Sequence, residues 1–223
     1  MFPMDDRWKK SPLVMGAAIA VIVLLVVSFF WGGGTKNEGN RLLAGNLQEA
    51  VGFVAAEETV KLLGGTGKVA ILLNAREESD LSGSPAGAFA AGFKKGLAKP
   101  SGVQMAGHLF GRGRFTQNQN VMLDYLSLGT LQAAREQFPD AKALVSFMGL
   151  PVLQLTEEAQ WAKSSPPKLV VVQEAIQLRG MRERLFQTGV VHLVLWRKEK
   201  LPEEEAQGEP RQLFDRYYQV IAQ

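Results

Sequence analysis

The chain has 223 residues, a formal net charge of +3 and no cysteine. A basic excess so small and scattered gives no electrostatic footprint for nucleic acid, and the lack of cysteine excludes disulfides, lipid attachment at a thiol and thiolate metal sites. Lysine and arginine are mixed with aspartate and glutamate throughout, the pattern of an ordinary solvated surface.

Residues 13–31, LVMGAAIAVIVLLVVSFFW, carry no charge, and none occurs between Lys10 and Lys36. At a rise of about 1.5 Å per residue, a helix here spans about 28 Å, close to the hydrocarbon thickness of a bilayer. Such a helix also pairs its own backbone groups, as lipid demands. Trp8 and Trp31 bracket the span, and Arg7, Lys9 and Lys10 favour a cytoplasmic N-terminus. The expected layout is a cytoplasmic tail (1–12), a transmembrane helix (13–31), a Gly-rich linker (32–45) and a domain (46–223) in the periplasm of a two-membrane bacterium. A cleaved signal peptide would need a shorter apolar core and a small-residue cleavage site, which Gly32, Gly33 and Gly34 match poorly. The roughly 175 residues beyond the linker suffice for one well-filled domain.

Asn46 has the look of an N-cap, with Glu49 completing a capping box and a helix running to about Leu63. Gly64 and Gly65 end it. The apolar run KVAILLN, 68–74, suits a strand buried on both faces. Ser84 and Pro85 fit N-cap and N1 of a second helix, with Phe89, Phe93 and Leu97 on one face. A second strand, 103–109, precedes a long helix expected over about 117–138 and closed by Pro139. The third strand is 143–147, followed by a helix over about 153–162. The fourth is 168–173, then a helix over about 178–187, and the fifth is 190–196. A helical turn or two at 212–217 and an edge strand at 218–222 close the chain. Strands that alternate with helices and lack period-2 alternation argue a parallel sheet covered on both sides. The fold class is therefore α/β: a single-span anchor plus one flavodoxin-like or Rossmann-like three-layer domain with a mainly parallel five-stranded sheet, its first strand central.

Residues 49–74, EAVGFVAAEETVKLLGGTGKVAILLN, resemble a phrase of the type I periplasmic binding proteins, the sugar-binding family. AFAAGFKKGLAKPSGVQMAG (88–107), FPDAKALVSF (138–147) and LRGMRERLFQTGVVHLVLWR (178–197) are similar to later phrases of that family in the same order. The resemblance covers about residues 46–197 and corresponds to the second lobe alone. It implies a ligand gripped by polar groups at the carboxyl ends of the strands, facing another lobe. The chain departs at those contacts. Phe89 replaces the expected arginine, Met148 and Gly149 replace Asn-Asp, and Gln173 and Glu174 replace an aspartate. A small-molecule ligand is therefore not expected of the lobe alone, nor micromolar binding of free monosaccharides.

No catalytic set assembles. Gly64 to Lys68 imitates a phosphate loop, but it closes a helix and enters a strand, the reverse of what that loop needs. His108 and His192 lack partners at metal-binding spacing, and no serine sits in a nucleophile elbow. Glu157 and Glu158, adjacent on a helix, read as a solvated face. No cofactor or metal is expected. The candidate partner or ligand edge comprises Asn74, Arg76, Ser84, Arg112, Arg114, Phe147, Met148, Gln173 and Glu174, an apolar floor with a basic rim. The expectation is a non-enzymatic docking subunit of an envelope membrane complex, contacting the bilayer through 13–31 and other membrane or periplasmic proteins through that edge. Arg112→Ala and Met148→Asp should then weaken assembly and spare the fold. The alternative is a tethered solute or signal receptor that borrows its second lobe.

Overall fold

In the computed structural model, Val69, Ala70, Ile71, Leu72 and Leu73 are all fully buried. Successive strand side chains point to opposite faces, so this run feeds two cores. Val69, Ile71 and Leu73 enter one, and Ala70 and Leu72 enter the other. The residues described are 34–99, 101–111, 126–174, 179–200 and 208–222. The expected span, 13–31, lies outside them, as do Arg112 and Arg114. Among the described residues no helix is long and apolar enough to cross a membrane. The chain divides into two units, Met1–Leu43 and Ala44–Gln223, and the second holds every element after the first helix.

In chain order the elements are α1 (Gly34–Leu62), β1 (Thr66–Asn74), a 3₁₀ turn (Glu78–Leu81), α2 (Pro85–Leu97), β2 (Gly102–Gly111), α3 (Leu128–Gln137), β3 (Ala141–Ser146), α4 (Leu155–Lys163), β4 (Lys168–Gln173), α5 (Arg179–Gln187), β5 (Leu193–Arg197), α6 (Pro210–Tyr217) and β6 (Tyr218–Ala222). The strand order is β2-β1-β3-β4-β5-β6. The first five strands run parallel in the flavodoxin-like order, and β6 adds antiparallel to β5. The sheet is thus six-stranded, and β1 is second from an edge rather than central. Residues of α1, α2 and α6 cover one face, and residues of α3, α4 and α5 cover the other.

Several boundaries differ from expectation. Asn46 is interior to α1, whose backbone is helical from Gly34, so the expected linker is helical from that residue. Arg41, Leu42, Leu43 and Ala44 are good helix formers, and extending a nucleated helix through them costs little. Glu49 pairs with Lys95 of α2 instead of closing a capping box. The helix expected from 117 starts at Leu128, because Ser127 is extended and its side chain accepts the Thr130 amide at 3.2 Å; 117–125 lie outside the described residues. The run expected as β5 splits. The amides of Val190 and Val191 both bond the Leu185 carbonyl, at 3.0 and 3.1 Å, closing α5 before the strand begins.

Helices α1 and α2 touch through glycine. A Cβ at Gly92 would lie 1.9 Å from the Glu49 carbonyl oxygen, and one at Gly52 would lie 2.1 Å from that of Phe89. No side chain fits there, so the GF phrase at 92–93 is a packing requirement.

Glu158, expected in solvent, is only 1% exposed. Arg184 of α5 brings Nη2 to 2.8 Å from its Oε1. The approach is an ion pair without hydrogen-bond geometry, and the buried Trp161 Nε1 nearby along the helix has no partner. Burial of a lone carboxylate is costly, so Arg184 is what makes this position tolerable.

Among the described residues, Glu58 and His192 contribute to the acid response. Burial pushes Glu58 up, but hydrogen bonds and charges from Lys61 and Arg211 outweigh it and hold the carboxyl below its ordinary value. Burial, then the charge of Lys168, lowers His192, whose Nδ1 accepts the Leu169 amide at 3.3 Å while its own amide bonds the Leu169 carbonyl at 2.9 Å. Both folded pKa values are depressed, so the unfolded chain takes the protons first and stability falls as pH falls. The His192 contribution should decline below about pH 6.5 and the Glu58 contribution below about pH 4.3. Urea midpoints followed with pH should therefore fall in two stages, and Glu58→Gln should lower the neutral midpoint while flattening the more acid stage.

Candidate functional site

With both faces of the sheet covered, the strand ends are what remain for chemistry. The order β2-β1-β3 reverses the direction of winding at β1, and ligands of open α/β sheets bind outside the carboxyl ends at such a point. Asn74 ends β1 and is exposed, as is Arg76. The Arg76 amide donates to Asp80 Oδ2 at 2.9 Å, anchoring the turn into the 3₁₀ segment. Ser84 caps α2, its Oγ accepting from the Gly87 amide at 3.1 Å and donating to the Leu81 carbonyl at 3.1 Å. Its hydroxyl is spent on the fold.

The loop after β3 is fixed from several sides. The Ser146 hydroxyl accepts the Met148 amide at 3.1 Å and donates to the Gly149 carbonyl at 3.3 Å. Gly149 has φ 81°, which suits glycine. Gln173, only 4% exposed, accepts the Leu150 amide on Oε1 at 2.7 Å. The Val152 amide bonds the Leu126 carbonyl at 3.0 Å.

This geometry overturns the apolar floor. Phe147 stacks on Phe89 with ring centroids 4.9 Å apart and meets Phe93 edge-on at 6.1 Å, within the first core. Met148 is 2% exposed and belongs to the second core. Phe147 and Met148 follow the end of β3 and pack into different cores, so the two do not form one surface. The exposed apolar groups near this edge are Val152 at 44% and Leu155 at 68%, which sequence reasoning missed. Their heptad-like neighbours Leu150 and Leu153 are buried, and no local signal separates the pairs.

Glu174 is exposed at the end of β4. Its Oε1 accepts a hydrogen bond from Tyr218 at 3.2 Å. Tyr218 is buried, and burial, then the nearby Glu174, pushes its hydroxyl well above the ordinary range; it is a neutral donor. Sequence reasoning saw Tyr218 only as the start of an edge strand, since nothing local pairs residues 44 apart. Thus Asn74, Arg76 and Glu174 are exposed at the carboxyl edge. Ser84, Phe147, Met148 and Gln173 serve the fold. Among the described residues no group of three His, Asp or Glu side chains could hold a metal ion. His108 packs its ring 4.8 Å from Phe110.

No family model and no curated protein matches the chain. Among solved structures, the arabinose-binding protein AraP from Geobacillus stearothermophilus matches with 17% identity over 67% of this chain and 45% of its own, TM-score 0.47. An ABC transporter solute-binding protein from Burkholderia graminis, in complex with D-arabinose, matches with 15% identity over 78% and 59%, TM-score 0.46. The glucose-galactose binding protein GanP from Geobacillus stearothermophilus matches with 13% identity over 75% and 50%, TM-score 0.44. The chain spans about half the length of these proteins.

Because Met148 is buried, Met148→Asp should act on the fold rather than on assembly. An unpaired carboxylate in the second core costs several kcal/mol, so the variant should lose its cooperative thermal transition by circular dichroism. A native-like melting temperature would restore Met148 to the surface.

Proposed function

We propose that this chain is a non-catalytic binding lobe, tethered to the cytoplasmic membrane by residues 13–31 and working on the outer side. Its site is the carboxyl edge of the sheet at the switch point beside β1. The observation that carries the reading is the exposure of Asn74 and Arg76 at the end of β1 and of Glu174 at the end of β4, on that one edge. An amide, a guanidinium and a carboxylate together donate to and accept from hydroxyl groups, which suits a small polar solute of the sugar type. One lobe supplies one wall. The other face of a bound solute stays in water, so its contacts are screened and compete with solvent. The second wall comes from another copy or from another protein's lobe.

A docking subunit is the second reading, favoured by the exposed Val152 and Leu155. Aliphatic groups of this kind suit the core of a protein interface better than a sugar.

Calorimetry of the full chain with a panel of pentoses and hexoses separates the two. A half-site should bind with dissociation constants on the order of millimolar, and Arg76→Ala and Glu174→Ala should abolish the isotherm. No saturation with any monosaccharide, together with a stoichiometric protein partner released by Leu155→Asp, would replace the solute reading with docking. For the tether, protease added to intact spheroplasts should degrade the domain beyond about residue 35; protection until the inner membrane is lysed would reverse the orientation.

A further inference from the structure

The carboxylate of Glu174 is held from a distant part of the chain. Tyr218 OH donates to Glu174 Oε1 at 3.2 Å, and the Tyr218 ring stacks on Phe214 of α6 with centroids 5.5 Å apart and planes at 21°. The Arg211 guanidinium lies over the Phe214 ring at 5.8 Å. Arg211 then reaches α1, with Nη1 2.6 Å from Glu58 Oε1 and 3.6 Å from Glu57 Oε2, while its Nε lies 3.4 Å from Asp215 Oδ1. Glu58 is only 8% exposed and is also held by Lys61 at 2.8 Å.

We infer that the C-terminal arm, α6 and β6, couples the carboxyl edge of the sheet to α1 through Glu174, Tyr218, Phe214, Arg211 and Glu58. Tyr218 is the positioning residue: it fixes one oxygen of Glu174 and leaves the other for a ligand or partner. Whatever competes for Glu174 loosens Tyr218, and the stacked Phe214 carries that change to Arg211 and its contact with Glu58 of α1. The exposed end of the path, Glu174, belongs to the site proposed above, and the inference rests on that reading for its functional meaning.

The test is a double-mutant cycle on the full chain, unfolded in urea. Glu174→Gln weakens the acceptor at one end, and Arg211→Lys keeps the charge but loses the fork at the other. Residues out of contact normally add, whereas members of one network do not. The inference expects the two substitutions to deviate from additivity by about threefold or more in the unfolding equilibrium constant. The control pair, Glu183→Gln on α5 with Arg211→Lys, should be additive. Tyr218→Phe, which removes only the hydroxyl, should speed amide exchange over residues 55–62 of α1 several-fold. An additive Glu174–Arg211 cycle overturns the coupling, as does unchanged exchange in α1 when Tyr218→Phe loosens α6 alone. Neither measurement uses a ligand, so failure here leaves the binding reading standing, and absent solute binding leaves the coupling measurable.

Discussion

Burying β1 on both faces is the constraint from which the rest of the arrangement follows. A strand whose odd and even side chains are both apolar cannot turn either face to water. Helices must cover both, and here α1, α2 and α6 do so on one side and α3, α4 and α5 on the other. The glycine contact between α1 and α2 shows how closely the first layer is drawn together. With its faces closed, the sheet has only loop-bearing ends to offer, and in a parallel sheet the carboxyl ends all lie on one side.

At those ends, polar groups divide between holding loops and meeting solvent. Ser146 and Gln173 are buried dipoles that bind the backbone of 148–150, and an unmet polar group in such a place costs more than a hydrogen bond gains. Their work on the loop explains why a polar residue at a strand end is not by itself a contact for a solute. Glu174 differs because its partner, Tyr218, leaves the carboxylate at the surface.

The alternation of elements was legible in the chain because apolar runs such as 69–73 and 169–172 are too short for helices and lack period-2 alternation. The flavodoxin-like order was expected from right-handed crossovers with a switch point near strands one and three. Less legible were features decided at long range. The capping pattern at Asn46 was outweighed by helix formers before it. The pairing of Glu158 with Arg184 joins residues on different helices, so a doublet that reads as solvated is buried. Phe147 and Met148 looked like one apolar floor in one dimension, whereas the bend after β3, held by Ser146, sends them to different cores. Arg76 and Glu174 could be placed after the ends of β1 and β4 because strand ends can be read from the sequence; the link from Tyr218 to Glu174 could not, since it depends on where β6 adds to the sheet.

The contact between Arg211 and Glu58 joins residues 153 apart, which bears on biosynthesis. α1 emerges early and α6 late, so a nascent chain leaves uncovered the part of α1 that packs on Leu213 of α6, including Ala50, until α6 has left the ribosome. Contacts of such span slow folding, because a long loop must close before they form. The unpaired edge of β5 waits equally long for β6, and exposed strand edges recruit neighbouring chains. During synthesis the domain therefore keeps apolar surface and a strand edge open until its final helix and strand arrive.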